Sequence, residues 1–486
     1  MAQGSGTSPD LLVCPRAMRC LTGCLLSVGF TVNVGGVEDW RFLHAYPSQY
    51  VAQKLGSSQE IVVDGMLDDA AWQEVSATHN AWVDLAQLRF PDFVLPTEYT
   101  SSVKVRWDAQ YLYLGVDLGE PFVTGTVTGH NADLTSSNPI GNVPYYDNDF
   151  EFFVDVTGSN YFYKEFEINF LNATYDVLWR SADEGLGSVG VPCCSDNTCA
   201  RWCQNSSFPW YGGTWSMYPR MTTATAKTSH GWSVEIAFPL YGDAASGGLL
   251  DVGEVDGVAA DSTLFDPNNG AKYWLVDFSR AEHPFFTSNA SNFGALCPII
   301  QQTQPTLLGD DRWSCYWEWA WQSTGGHQYM HNPDTWGFLQ FASHSDDVEC
   351  LNVEWPVRYV LAQLYQAEVA YAQETGVYTS DVSSLLDGGY CTIANGCNTT
   401  DIRTALSLVD TFTVKVAVDN QATSCVRYAH GGLARNWTGG PCFTATVDVV
   451  VSDGSVVGGT IKEDRFLKTY LPAGGALCLT EPSLVV

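Results

Sequence analysis

The alternation of hydrophobic and polar positions is clearest over residues 145–170, YYDNDFEFFVDVTGSNYFYKEFEINF. A period of two sends successive side chains to opposite faces of a strand. Phe150, Phe152 and Val154 fall on one face of the first arm, with Asp149, Glu151 and Phe153 on the other. On the second arm Phe166, Ile168 and Phe170 oppose Glu165, Glu167 and Asn169. Between the arms, Thr157-Gly158-Ser159-Asn160 supplies the residue types that a reversal needs. The pattern predicts a hairpin with an aromatic core face and a second face bearing a ladder of carboxylates and an amide.

The same period recurs along much of the chain. Residues 61–72, IVVDGMLDDAAW, read as a strand, an Asp-Gly turn and a short helical start. Residues 101–121 read as two strands around Asp108-Ala109-Gln110, with Val103, Val105 and Trp107 alternating with Lys104 and Arg106. Further short strands fall at 173–179, 231–240, 273–282 and 336–341. Together they predict a mainly β chain whose first part, residues 50–343, is an antiparallel β-sandwich. After residue 344 the period changes to that of a helix over 355–378, through Val357, Val360, Leu361, Leu364 and Tyr365, ending at Gly376. A second short helix follows with Ser380 as its N-cap, then strands between 411 and 466. Residues 350–486 are therefore expected to form a smaller α+β region with one long helix and a small antiparallel sheet, faintly similar to a pilin-like unit.

Composition narrows the function classes. Acidic residues outnumber basic ones 54 to 23, a formal net charge of −31, which repels nucleic acid and anionic lipid and suits neutral sugars or divalent cations. Among fifteen Cys, Cys193, Cys194, Cys199 and Cys203 resemble a zinc cluster in spacing, but the interval has no His and two adjacent Cys, which favours disulfides, with Cys297–Cys315, Cys391–Cys397 and Cys425–Cys442 as expected pairs. Sequons at Asn172, Asn205, Asn289, Asn398 and Asn436 point the same way, to a secreted, extracellular glycoprotein. Residues 1–34 resemble a signal peptide, with Arg16 and Arg19 ahead of CLTGCLLSVGFTV, and Met18 is an alternative start. No run is long and apolar enough to predict a membrane span.

Candidate chemistry concentrates on the hairpin. Glu151, Glu165, Glu167 and Asn169, with Trp179 and Arg280, form either a ligand site or a buried ion-pair network. Planar polar groups above an aromatic ring are what vicinal sugar hydroxyls and the apolar face of a pyranose require. Trp72, Trp107 and Trp232 lie in regular alternation and are assigned to the core, leaving Trp179, Trp210, Trp215, Trp317, Trp319, Trp321 and Trp336 for stacking. The run WEWAW at 317–321 is either a flat platform or a plug. Asp147 and Asp149, with Asn148 and Asp155, could offer oxygens to a structural Ca²⁺, though not in EF-hand spacing. Two carboxylates could in principle serve a glycosidase, but no nucleophile elbow, zinc-binding helix or phosphate loop is present, and His130, His327 and His331 stand isolated.

The blocks VDGMLDDAAW, VKVRWDAQYLYLGVDLGEP, YYDNDFEFFVDV, YKEFEINFLNATYDVLW, GWSVEIAFPL, VDFSR and MHNPDTWGFLQF occur in this order over roughly residues 58–343. In that order they resemble the family 9 carbohydrate-binding modules, and more closely the family 9-like branch of the DOMON-type sandwiches. The resemblance implies a β-sandwich that binds a poly- or oligosaccharide without catalysis, and the contacts expected from the residues are Glu151, Glu165, Glu167, Asn169, Trp179, Arg280 and Trp336. Relatives are often attached to enzymes of plant polysaccharide breakdown, and some hold structural calcium. The Cys-rich loop at 185–215 departs from the family pattern. Two other readings stand beside it: an extracellular interaction protein that has lost the sugar site, and a haem- or small-molecule-binding sandwich. Oligomeric state is not legible in the sequence.

Overall fold

The computed structural model describes residues 46–78, 83–84, 98–121, 123–130, 143–179, 215–243, 246–252, 254–255, 258–259, 261–282, 317–320, 330–343, 351–352, 354–392, 397, 412–422, 424–430, 433–438, 441–450, 456–470 and 478–479. The first part comprises β1 (Gln49–Lys54), α1 (Ala70–Gln73), β2 (Val83–Asp84), β3 (Ser101–Trp107), β4 (Tyr111–Gly119), β5 (Asp149–Asp155), β6 (Lys164–Asn169) and β7 (Thr174–Leu178). It continues through β8 (Thr222–Lys227), β9 (Gly231–Pro239), β10 (Glu254–Val255), β11 (Val258–Ala259), β12 (Tyr273–Glu282), β13 (Trp317–Ala320) and β14 (Gly337–Ala342). After β15 (Leu351–Asn352) come α2 (Trp355–Thr375) and α3 (Val382–Asp387). The chain closes with β16 (Phe412–Asp419), β17 (Ser424–His430), β18 (Leu433–Thr438), β19 (Cys442–Val450), β20 (Val456–Lys462), β21 (Leu467–Tyr470) and β22 (Cys478–Leu479).

The protein is mainly β, as the alternation predicts. The sandwich is one sheet curled on itself, in the order β7-β6-β5-β12-β14-β1-β3-β4-β9-β8, with β13 and β2 attached beside β12. Both halves turn their apolar faces inward. Phe152 and Phe166 of one half meet Phe238 of the other at 5.2 and 5.0 Å between ring centroids. Trp107 and Trp232 are sealed in this core, and Trp72 in a smaller cluster beneath α1.

Two local expectations change. The sheet is not antiparallel throughout, because β1 runs parallel to both β14 and β3 and hydrogen-bonds the halves together. Residues 61–63 form no strand. Glu235 explains why: its carboxylate accepts the N–H groups of Asp64 and Gly65 (both 2.8 Å) and the indole N–H of Trp72 (2.7 Å). That segment is thus held by one side chain instead of a ladder, and Gly65 has φ +90°, a conformation glycine takes without strain.

In the C-terminal part α2 lies over the sheet β16-β19-β20-β21 and is capped by Gly376, whose N–H meets the Ala372 carbonyl at 2.9 Å. The short helix α3 is capped by Asp381, one residue beyond the expected Ser380; the Asp carboxylate accepts the Ser383 N–H at 3.0 Å. Cys391 and Cys397 form a disulfide. Cys442 is also disulfide-bonded, while Cys297, Cys315 and the leader lie outside the described residues.

Candidate functional site

The hairpin forms as its pattern dictates, with Asp149 opposite Asn169, Glu151 opposite Glu167 and Phe153 opposite Glu165. Asp155 shapes the turn. Its carboxylate accepts the N–H groups of Thr157, Gly158 and Asn160 at 3.0, 2.8 and 2.7 Å and the Thr157 hydroxyl at 2.8 Å. The strands either side extend the polar face: Ser279 of β12 pairs with Glu151, and Tyr175 of β7 pairs with Glu167.

Along this face the side chains differ sharply in access. Asp149, Glu151, Glu165, Glu167 and Asn169 are all buried, whereas Tyr145, Tyr146 and Trp179 are only partly buried. Those three rings pack around Tyr175, Val177 and Val143. Trp179 lies parallel to Tyr163, 5.9 Å between centroids and 12° between planes, and donates its indole N–H to Glu165. His331 closes the group edge-on to Trp179 at 5.0 Å and to Phe153 at 5.1 Å, with Nδ1 3.0 Å from the Tyr163 hydroxyl. Burial pushes His331 down to about 4, so it stands neutral 4.0 Å from Glu165 and is no ion-pair partner.

Burial raises Glu165 and raises Glu167 further, because Glu167 also faces the charges of Glu165 and Asp149. The Tyr145 N–H reaches the Glu167 carboxyl at 3.1 Å. The Tyr145 and Tyr175 hydroxyls are driven upward by burial first and by neighbouring groups second, and stay protonated. The arrangement offers a stacking surface with a fixed carboxylate beside it.

Several residues read as ligand contacts are instead structural. Arg280 is sealed on the opposite face, in register with Phe150. It donates to Glu282 (2.6 Å), Glu120 (3.1 Å), and the Thr100 and Gly119 carbonyls (3.0 and 2.9 Å). It therefore belongs to an ion-pair network with acids outside the hairpin. Asn169 spends its amide on Val127 O, Asp147 and the Ala173 N–H. Trp336 is 1 % exposed, turned beneath Tyr163 with its N–H on the Met330 carbonyl at 2.7 Å. Trp215, another stacking candidate, is buried in the sandwich core. Trp210 and Trp321 lie outside the described residues; 317–320 form β13, paired with β12 and β2.

The calcium set does not fit a calcium ion. Asp147 already accepts the Thr126 and Val127 N–H groups at 2.7 Å, the Thr126 hydroxyl at 2.8 Å and the Asn169 amide at 2.8 Å. Asp155 is committed to its turn, Asn148 donates to Glu120, and Asp149 accepts the Ala281 N–H. A cation would confront donors at Asp147 and Asp155. Among the described residues no three His, Cys, Asp or Glu are grouped to hold a metal.

Sequence reasoning missed Tyr163 and His331. Tyr163 was within reach, since period two puts it on the face of Glu165. His331 enters from a distant loop and has no local signal. His130 is not isolated either: Thr174, Ser216 and Asp176 surround it at 2.8, 2.9 and 3.4 Å. This is no hydrolase triad, because Ser216 gives its proton to Asp176 and accepts the Tyr218 N–H.

No family profile matches the chain, and no curated protein matches it in sequence. Among solved structures it is similar to a family 9 carbohydrate-binding module from Caldicellulosiruptor kristjanssonii in complex with cellotriose. The identity is 14 %, over 63 % of this chain and 100 % of the module, with a TM-score of 0.31. The same module in complex with glucose matches at 13 %, over 62 % and 99 %, again at 0.31. The likeness is one of fold only. No helix among the described residues is long and apolar enough to cross a membrane.

Proposed function

We propose that this chain is a secreted, non-catalytic carbohydrate-binding protein that holds a poly- or oligosaccharide against Trp179, Tyr145 and Tyr146. The observation that carries this reading is the partly buried Trp179 ring, backed by Tyr163 and fixed through its N–H to Glu165. A ring immobilised before the ligand arrives loses little further entropy on stacking. Glu165 holds the indole from within the fold. The contacts assigned here are Trp179, Tyr145 and Tyr146; Glu165, Arg280, Asn169 and Trp336 support them and the fold.

A glycan array with the intact protein tests the reading. Binding is expected to at least one neutral oligosaccharide, to fall by more than about tenfold in Trp179→Ala, and to be unchanged by chelator. An array with no binding overturns it in favour of an extracellular interaction protein, a reading to which the burial of the acid ladder already lends weight.

A further inference from the structure

Two loops bring the ligand-site rings together. Residues 156–163 lead from β5 to β6 and end at Tyr163; residues 330–336 carry His331 and Trp336. The first loop is not relaxed by itself. Asn160 and Phe162 have φ of +67° and +55°, unusual for residues with a side chain and most unusual for a bulky one. Such a backbone persists only when its surroundings hold it there.

What holds it is the turn between β20 and β21. Arg465 is 4 % exposed and reaches both loops. Its guanidinium meets Asp334 through Nε at 3.1 Å and Nη2 at 2.5 Å, and Nη2 also donates to Asn332, the neighbour of His331. Its carbonyl accepts the Asn160 amide at 3.2 Å, and that amide also reaches Asp334 at 3.3 Å. Adjacent contacts repeat the grip: the Leu467 N–H on the Ser159 carbonyl at 3.1 Å, and the Tyr161 hydroxyl on the Asp464 carbonyl at 3.0 Å. Tyr161, Phe162 and Phe466 pack as one apolar cluster. Arg465 itself has φ +64°, so the clamp is strained at its centre as well.

We propose that Arg465 is a positioning residue for the ligand site: by tying the loop before Tyr163 to the loop of His331, it sets the Tyr163–Trp179 stack. The inference rests on the proposed function for the ligand and on the clamp for the geometry. The C-terminal part is then a working component of the binding site. The guanidinium fork grips Asp334 and Asn332 while the main-chain carbonyl of the same residue holds Asn160, and lysine cannot replace it, because a single ammonium lacks the planar fork that bonds Asp334 and Asn332 together.

The test uses the full chain in four forms: wild type, Arg465→Ala, Arg465→Lys and Asp448→Asn. The last weakens the Tyr470–Asp448 bond by removing the charge of its acceptor, in the same C-terminal sheet and away from both loops. In the wild type, Trp179→Phe gives a near-ultraviolet circular dichroism difference that reports the Tyr163–Trp179 pair. That difference is expected to vanish in both Arg465 backgrounds and to persist with Asp448→Asn. Affinity for cellotriose or chitotriose should fall about tenfold or more in both Arg465 variants and stay within about twofold for Asp448→Asn. A stack signal that survives Arg465→Ala, or an equal loss with Asp448→Asn, overturns the proposal. If Arg465→Ala does not fold, Asp334→Asn weakens the clamp from its other side and is read in the same way. If the wild type binds neither trisaccharide, the sugar reading loses its support, while the dichroism still decides whether Arg465 sets the stack.

Discussion

At the scale of single residues, Arg280 shows how the side of a strand decides a role. It is fully enclosed and ion-paired to Glu120 and Glu282, both themselves buried. Removing one member of such a group strands the others as uncompensated buried charge, which costs about 3–5 kcal/mol. Arg280→Ala is therefore expected to lower the urea midpoint by that equivalent, measured by denaturation, while the protein that remains folded binds glycan as the wild type does. A loss of affinity without a loss of stability would return Arg280 to the ligand site. The strand pattern already held the face, since Arg280 shares parity with Trp274, Val276 and Phe278. What it lacked was register: only the pairing of Arg280 with Phe150, instead of with Glu151, separates the guanidinium from the acid ladder.

Among the elements, the hairpin was legible because three signals agreed: alternation on both arms, turn residues between them, and aromatic bulk on one face. The parallel strand β1 was not. Its sequence QYVAQK has polar ends and only two buried positions, and its partners β14 and β3 lie far apart in sequence. The helix α2 was legible from its spacing, and the spacing also carries an anomaly. Leu361, Leu364, Tyr365 and Glu368 follow i, i+3, i+4 and i+7, so an acid falls on the apolar stripe. Glu368 is buried there, with Oε2 accepting the Thr379 N–H at 3.2 Å and Oε1 without a hydrogen-bond partner. Burial raises its pKa from 4.5 to about 7. The folded state thus binds the proton more tightly than the unfolded one, and stability contributed by this site falls as pH rises from 4.5 to about 7, then levels off. The deficit above that range is of order 3 kcal/mol. Glu368→Gln is expected to raise the melting temperature at pH 8 and leave it unchanged at pH 4, as scanning calorimetry would show; an equal effect at both values would mean the charge is not the cause.

For the whole molecule, the question is whether the sandwich and the C-terminal part melt separately. Their contact is not a soft linker. Trp355, at the start of α2, packs with Tyr46 and Phe338 of the sandwich, ring centroids 5.2 Å apart for Trp355–Tyr46. Arg358 is buried among Glu354, Asp155 and Asp334, and burial alone pushes its pKa down against their charge. It lies so close to the hairpin turn that a Cβ at Gly158 would stand 2.8 Å from its Nη1. Separating the two parts would expose the Trp355 cluster, the Phe466 cluster and the charges of Arg358, Arg465, Asp155 and Asp334 together. Such a cost favours cooperative unfolding over stepwise opening. Calorimetry of the full chain is expected to give one transition with equal calorimetric and van 't Hoff enthalpies. A chain ending at residue 350 should lose that transition and bind an apolar dye, because the faces that cover 330–336 and 156–163 have gone. Two resolved transitions, or a truncated chain that melts sharply at the original temperature, would show that each part stands alone and that the clamp at Arg465 is a contact of convenience.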